Sequence, residues 1–177
     1  YLRNKIAKER GISFDKRTIM EVVQDKRNSG FKTYPNTYPL SFAKTNGFNY
    51  QNGRIYPIGT ISNSTIVYCN ELGFYNNFKS DKYGFNNPKE QFKNSSIDIV
   101  ILGDSFAEGA CVKSSDNIKG LLYKKNLNVL NFGKGSSGPL LQLAALVEYA
   151  KPLKPKIVLW LSSINDFSNL VDELHSP

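Results

Sequence analysis

A serine follows one of the most apolar stretches of the sequence. Four apolar residues, 99–102, run directly into Gly103-Asp104-Ser105. A glycine permits the tight turn that would present the Ser105 hydroxyl beyond the end of a strand. A hydroxyl held in this way can attack an ester carbonyl, so the stretch predicts acyl transfer through a serine nucleophile.

Two further polar clusters, residues 131–138 and 162–166, also follow apolar stretches. Ligands of open parallel sheets bind beyond the carboxyl ends of the strands, so we expect all three clusters to meet at one edge. Attack on an ester creates an oxyanion, which backbone N–H groups and a side-chain amide can stabilise. The candidate donors are the N–H of Ser105, an N–H of the loop 133–138 and the Asn165 amide.

Alternating strands and helices are predicted to position these clusters. The order from residue 95 onward is β-α-β-α-β, which implies a parallel sheet with right-handed crossovers. Apolar runs without alternation are typical of strands covered on both faces. The predicted strands span 97–102, 127–132 and 156–161, and the predicted helices span 115–125 and 137–151.

The first 94 residues differ in composition from the rest. Thr18 and Glu21 have capping-box spacing and predict the start of a helix. The chain after this helix is rich in Asn, Tyr, Phe, Gly and Pro, which indicates turns with short strands such as 65–68. We therefore divide the chain into a helix with an irregular α+β extension, residues 1–94, and an α/β core, residues 95–177.

Charge and cysteine usage narrow the functional classes. The formal net charge is +8, but the 23 basic residues are scattered and 18 of them are lysine, which disfavours nucleic-acid recognition. The longest clean apolar run, 157–161, is too short to span a membrane. Cys69 and Cys111 form no metal pattern; we expect two half-buried thiols, and the sequence leaves a disulfide open. No cofactor or metal is predicted.

Three motifs, in order along the chain, carry a family resemblance. GDS at 103–105, the glycine-containing loop after VLNFG and IND at 164–166 are similar to the first three sequence blocks of the SGNH (GDSL-like) hydrolases. KSDKYGFNNP at 79–88 resembles the segment that precedes the GDS strand in many bacterial members. The resemblance covers residues 68–168. It implies a three-layer α/β/α, flavodoxin-like fold and hydrolysis or transfer of acyl groups, often acetyl groups on carbohydrates.

The resemblance also implies roles for individual residues. Ser105 matches the nucleophile, and Asn165 matches the oxyanion asparagine. The glycine of the second block falls at Ser136, with Gly135 beside it, and a backbone N–H is the expected donor there. Ser163 stands where the family usually has glycine. The implied partner is a small-molecule or glycan acyl ester, without nucleic acid, at the cell envelope or facing the periplasm; membrane anchoring of the whole protein stays open.

The general base has two candidate positions. The family's base lies in a D-x-x-H motif near the end of the domain, and Asp172 and His175 have that spacing only ten residues after Asn165. In one interpretation these two residues complete the site. In the other, 167–174 is a helix with Phe167, Leu170, Val171 and Leu174 on its apolar face, and the base lies beyond Pro177, so that this chain is a fragment. The alternative function is a non-catalytic module that binds a ligand or partner in the same cleft.

Overall fold

The protein is a mixed α/β structure with one three-stranded parallel sheet, one three-stranded mixed sheet and a hairpin. The computed structural model describes Lys5, Lys8, Glu9, Gly11 and residues 13–87, 89–93 and 96–176. In chain order its elements are α1 (Ile19–Asn28), β1 (Thr33–Pro35), α2 (Pro39–Lys44), β2 (Phe48–Tyr50), β3 (Gly53–Ile55), β4 (Thr65–Val67), β5 (Asn77–Lys79), a 3₁₀ helix (Lys89–Lys93), β6 (Ile99–Gly103), α3 (Ser105–Glu108), α4 (Ile118–Tyr123), β7 (Val129–Asn131), α5 (Pro139–Ala145), β8 (Ile157–Leu161) and α6 (Asn165–Leu174).

The parallel sheet has the strand order β7-β6-β8. Ile101 of β6 lies opposite Asn131 of β7, and Gly103 of β6 lies opposite Leu161 of β8. The three strands therefore end at the same edge, which confirms the predicted parallel arrangement. The polar cluster that follows each strand begins at this edge.

The helices agree with the predictions in position but not in length. Thr18 N–H donates to Glu21 Oε2 at 2.6 Å and Glu21 N–H donates to Thr18 Oγ1 at 3.3 Å, so the predicted capping box forms. The helix predicted from 115 begins at Ile118, because the side chain of Asn117 caps it. α5 passes into a π-helical turn at Leu146.

Among the described residues, no helix combines the length and the apolar character that crossing a membrane requires. The first 12 residues lie mostly outside the described part.

Both faces of the central strand β6 are buried. Val100 and Leu102 pack on one face against a cluster that includes Ile58 and Phe85. Ile101 packs on the other face in a separate cluster. Ile58 and Phe85 come from the first 94 residues, so the main core contains side chains from both sides of the predicted boundary.

The outer strand β8 is less covered than its sequence predicts. Ile157 is 56% exposed, and Val158 and Trp160 are also exposed, although β6 and β7 are buried as expected. The predicted apolar face of α6 is exposed as well, with Phe167 75% accessible. β8 pairs only with β6 among the described strands, which leaves its other edge free. The prediction of full coverage is therefore wrong for β8.

The segment KSDKYGFNNP attaches the first part of the chain to the sheet. The Asp81 carboxylate accepts a bond from Phe85 N–H at 3.0 Å and from Asn87 Nδ2 at 2.9 Å. Asn87 also bonds to Asn131 at the end of β7, through Nδ2 to the carbonyl at 2.9 Å and through Oδ1 from the N–H at 2.8 Å. This buried amide therefore fixes the turn against the edge of the sheet where the polar clusters lie.

Cys69 and Cys111 form a disulfide, so the expectation of two thiols is wrong. Cys69 follows β4, and Cys111 follows α3, 42 residues later. Spacing alone could not reveal this pair, because the 5.3 Å between the two Cα atoms is set by the docking of both segments. The bond ties the first part of the chain to the loop after Ser105.

Reduction of this disulfide is expected to lower the free energy of unfolding by up to about 4 kcal/mol, because it releases a loop of this length in the unfolded chain. Urea unfolding, followed by Trp160 fluorescence with and without a phosphine reductant, measures the change. A double variant, Cys69→Ser with Cys111→Ser, is the control and should not respond to the reductant. Equal unfolding midpoints for the oxidised and reduced protein would contradict the expectation.

Candidate active site

One open cleft of about 420 Å³ brings together the residues predicted from the three strand-end loops. Ser105, Gly135, Ser136 and Asn165 all line it. These four residues come from the three chain segments that follow β6, β7 and β8, which meet because the strands are parallel and end at one edge. The first part of the chain contributes to the same wall, notably through the aromatic ring of Tyr68.

The turn at Gly103 presents Ser105 to the cleft. Gly103 has φ +141°, and a Cβ there would lie 2.6 Å from the carbonyl oxygen of Leu161 and 2.9 Å from the Cβ of Ala107. Only glycine fits this position without displacing β8 or α3. Ser105 is the first residue of α3, so its N–H has no acceptor within that helix. The predicted tight turn is confirmed.

The buried carboxylate of Asp104 organises the end of the sheet. Its Oδ1 accepts a bond from Phe106 N–H at 2.9 Å, which caps α3. Its Oδ2 accepts from Asn165 Nδ2 at 2.8 Å and lies 2.8 Å from Ser163 Oγ. Ser163 Oγ also lies 2.6 Å from Asn165 Oδ1. One of the two N–H bonds of the Asn165 amide is thus held by Asp104, and among the described residues the other has no acceptor.

Asp166 shapes the third loop. Its Oδ2 accepts from Ser163 N–H at 2.8 Å, and its Oδ1 accepts from Gln142 Nε2 at 3.1 Å. This side chain therefore links the loop after β8 to α5. Together with Asp104, it fixes the start of α6, where Asn165 is the first residue.

Gly135 and Ser136, the two candidate backbone donors of the second loop, differ in whether their N–H group already has an acceptor. Gly135 N–H donates to Glu108 Oε2 at 2.8 Å and is therefore occupied. Ser136 has φ +57° and an exposed side chain, and within the described residues its N–H has no acceptor. Ser136, rather than Gly135, is therefore placed to offer a backbone donor to a ligand.

A buried ion pair lies directly behind this loop. Lys134 Nζ lies 2.6 Å from Glu108 Oε1, and the two side chains are only 1% and 2% exposed. Lys134 Nζ also donates to Asn36 Oδ1. Tyr68 O–H donates to Glu108 Oε2 at 2.8 Å, so this one oxygen holds both the tyrosine and Gly135. This pair was not predicted from the sequence, although two charged residues among glycines and other small residues were a signal.

Burial shifts the pKa values of Tyr68 and Lys134. It raises the pKa of the Tyr68 hydroxyl far above its ordinary value, and the nearby Glu108 carboxylate adds to the effect. It also lowers the pKa of Lys134, while Glu108 opposes that change. Tyr68 therefore stays protonated and remains a hydrogen-bond donor to Glu108.

The predicted D-x-x-H pair is not assembled with Ser105. α6 begins at Asn165 and places His175 about 15 Å further along its axis. His175 Nδ1 lies 2.7 Å from the Val171 carbonyl, and Asp172 pairs with Lys44 at 2.8 Å. Neither residue is among those lining the cleft. The predicted helix over this segment is confirmed, whereas the position of the general base stays a prediction. The interpretation of His175 and Asp172 as part of the site is not supported by this structure.

Glu173, between these two residues, has a structural role. Its Oε1 accepts from Gly138 N–H at 2.7 Å, and its Oε2 accepts from Leu140 N–H at 2.9 Å. The carboxylate therefore caps the N-terminus of α5, where it also interacts favourably with the helix dipole. α6 thus stabilises the second loop through Glu173.

Comparisons with protein-family models, with curated proteins and with solved structures gave no match. In the described part of the chain, no group of three or more His, Cys, Asp or Glu side chains could hold a metal ion. Among the described residues that line the cleft, Glu71 is the only carboxylate. Any inference about function therefore rests on the geometry of the cleft around Ser105.

Proposed function

We propose that this protein is a serine ester hydrolase or O-acyltransferase of the SGNH type, with Ser105 as the nucleophile. The observation that carries the proposal is the meeting of Ser105, Ser136 and Asn165, from three separate loops, in one cleft. A three-layer, flavodoxin-like fold of that family is part of the proposal. The parallel sheet with a buried cluster on each face of β6 supports it.

In the proposed reaction, Ser105 Oγ attacks the carbonyl carbon of the ester. The carbonyl oxygen becomes an oxyanion, which the N–H groups of Ser105 and Ser136 and the second N–H of the Asn165 amide stabilise. Each such donor lowers the barrier by about 3 kcal/mol. The alcohol leaves, and the acyl group on Ser105 passes to water or to another hydroxyl.

The serine proton needs an acceptor within hydrogen-bond reach. His175 lies at the far end of α6 and does not line the cleft. Glu71 does line the cleft, but no hydrogen bond joins its carboxylate to Ser105 among the described residues. We therefore propose Glu71 as the acceptor through one bridging water. This role could not be predicted from the sequence, because Glu71 lies in the irregular first part of the chain.

The composition of the cleft suits a small acyl ester, including an acylated sugar. Its volume of about 420 Å³ is in the range of small-molecule sites. The rings of Tyr38 and Tyr68, 6.5 Å apart, offer apolar surface beside polar groups. The disulfide fits an oxidising compartment such as the cell envelope. We propose no nucleic acid and no cofactor as partners.

A non-catalytic binding module is the second candidate function. The observation in its favour is that Asp104 and Ser163 hold the Asn165 amide, while the histidine lies away from Ser105. A module of this kind would bind an ester or sugar in the cleft without forming an acyl-enzyme.

Covalent labelling separates the two functions. The protein is incubated with a fluorophosphonate, which reacts only with activated serines, and the adduct is located by peptide mass spectrometry. We expect the adduct on Ser105 and none on Ser96, an exposed serine before the start of β6. An adduct on Ser105 excludes the non-catalytic module. A protein that binds acyl sugars without any adduct would contradict the hydrolase proposal.

Asp104→Ala is expected to lower kcat for ester turnover by about 100-fold, because Asn165 would lose its anchor and α3 its cap. Asp104→Asn keeps one of the two acceptor oxygens and should cost less. KM should change little, because Asp104 is 1% exposed and does not line the cleft. Steady-state kinetics on an aryl acetate measure both constants. A rise in KM of about 100-fold with unchanged kcat would show that Asp104 acts on substrate binding instead.

A further inference from the structure

A second and larger pocket, of about 500 Å³, lies apart from the cleft. No residue that lines it also lines the cleft. Its walls come from the mixed sheet and the chain just before it, the segment KSDKYGFNNP, the 3₁₀ helix and α4. Among the described residues, four lysines line it against a single carboxylate, that of Glu90; the lysines are Lys32, Lys79, Lys89 and Lys119.

One of these lysines is buried without a counter-ion. Lys119 is 3% exposed, and its Nζ donates to the carbonyl of Asn86. Among the described residues no carboxylate touches this Nζ, and Asp81 acts on it only through space. Burial lowers the pKa of Lys119 to about 8, so the side chain is still mostly charged at neutral pH. A buried ammonium group without an adjacent anion is costly, and an anionic ligand in this pocket would offset that cost.

Two exposed lysines stand at the mouth of the same pocket. Thr65 N–H donates to the carbonyl of Lys32 at 2.8 Å, and Thr65 lies opposite Lys79 in the pairing of β4 with β5. The two lysines therefore lie on either side of the first residue of β4. Strand pairing therefore fixes the backbone positions from which these two side chains reach the pocket that they line.

We propose that this pocket binds a phosphate group carried by a small polar molecule. Lysine binds phosphate as a compact point charge, and a cluster of lysines attracts a phosphate group, with up to two negative charges, more strongly than a carboxylate with one. Among the described residues, the rest of the lining consists of residues with hydroxyl and amide groups, which can bond to a sugar or similar carrier. The site is independent of the chemistry proposed for Ser105.

Calorimetric titration of the intact protein at low ionic strength tests this site. The probes are inorganic phosphate, glucose 6-phosphate, glucuronate and glucose. We expect both phosphates to bind, and glucuronate and glucose to bind at least about tenfold more weakly. Tighter binding of glucose 6-phosphate assigns the pocket to a phosphate ester, and equal binding assigns it to free phosphate. Binding of glucuronate as tight as that of phosphate, or no binding of either phosphate, would overturn the proposal.

Substitutions of single lysines test whether phosphate binds in this pocket. Lys119→Met should weaken phosphate binding by about tenfold or more, because a buried charged donor is lost. Lys79→Gln, on an exposed side chain that the fold does not need, should weaken it by about two- to fivefold. Lys125→Gln removes the same charge from an exposed position outside the pocket and is the control. Phosphate affinity that is unchanged in Lys79→Gln and Lys119→Met, or that falls equally in Lys125→Gln, would refute the site.

Discussion

Ser105→Ala is expected to reduce the turnover of an aryl acetate by a factor on the order of 1000 or more. The hydroxyl is the only group of Ser105 that this change removes, and its N–H remains for the oxyanion. The loss therefore reports the covalent step. Turnover is measured by release of the aryl alcohol, and the acetylated peptide is sought by mass spectrometry in the unchanged protein.

The control for this experiment is Ser96→Ala. Ser96 is exposed and precedes β6, at the end of the sheet opposite to the cleft. It should keep full turnover and the same stability. If Ser105→Ala retained the turnover of the unchanged protein, the nucleophile would have to lie elsewhere, and the cleft would lose its proposed chemistry.

Glu108→Ala is expected to lower the free energy of unfolding by about 3–5 kcal/mol, the range typical of breaking a buried ion pair. The change would leave Lys134, which is 1% exposed, without its carboxylate. It would also remove the acceptor of both Tyr68 O–H and Gly135 N–H. Urea unfolding gives the free energy, provided that the m-value is unchanged.

A double variant shows whether the charge itself is responsible. Glu108→Gln with Lys134→Met keeps an oxygen for Tyr68 and Gly135 and removes both charges, so it should recover most of the loss. Lys124→Gln breaks an exposed ion pair and should have no measurable effect. A double variant as unstable as Glu108→Ala would show that the hydrogen bonds, and not the unpaired charge, dominate.

The sequence was most informative about the elements that meet at the cleft. Runs such as 97–102 are apolar because their strands are buried, so their position and parallel order could be predicted. Because the ends of these strands could be predicted, the placement of Ser105 and Asn165 at one edge of the sheet could be predicted as well. The local turn at Gly103 was also predictable, since it depends on residues adjacent in the chain.

Features that depend on distant docking were not predictable. Glu108 and Lys134 become partners only when α3 packs behind the second loop, and Cys69 meets Cys111 for a similar reason. The choice between Gly135 and Ser136 depends on which N–H the Glu108 carboxylate occupies. The spacing of Asp172 and His175 matched a motif, but the rise of a helix carries His175 away from Ser105.

The wall of the cleft has a consequence for transplanting this site into another protein. Tyr38, Tyr68 and Cys69 form part of that wall, yet all three lie before the strands that deliver Ser105 and Asn165. A designer who grafts only the three strand-end segments onto a different parallel sheet would copy the proposed nucleophile and lose part of the wall of its cleft. The smallest portable unit therefore includes the irregular first part of the chain, with its disulfide.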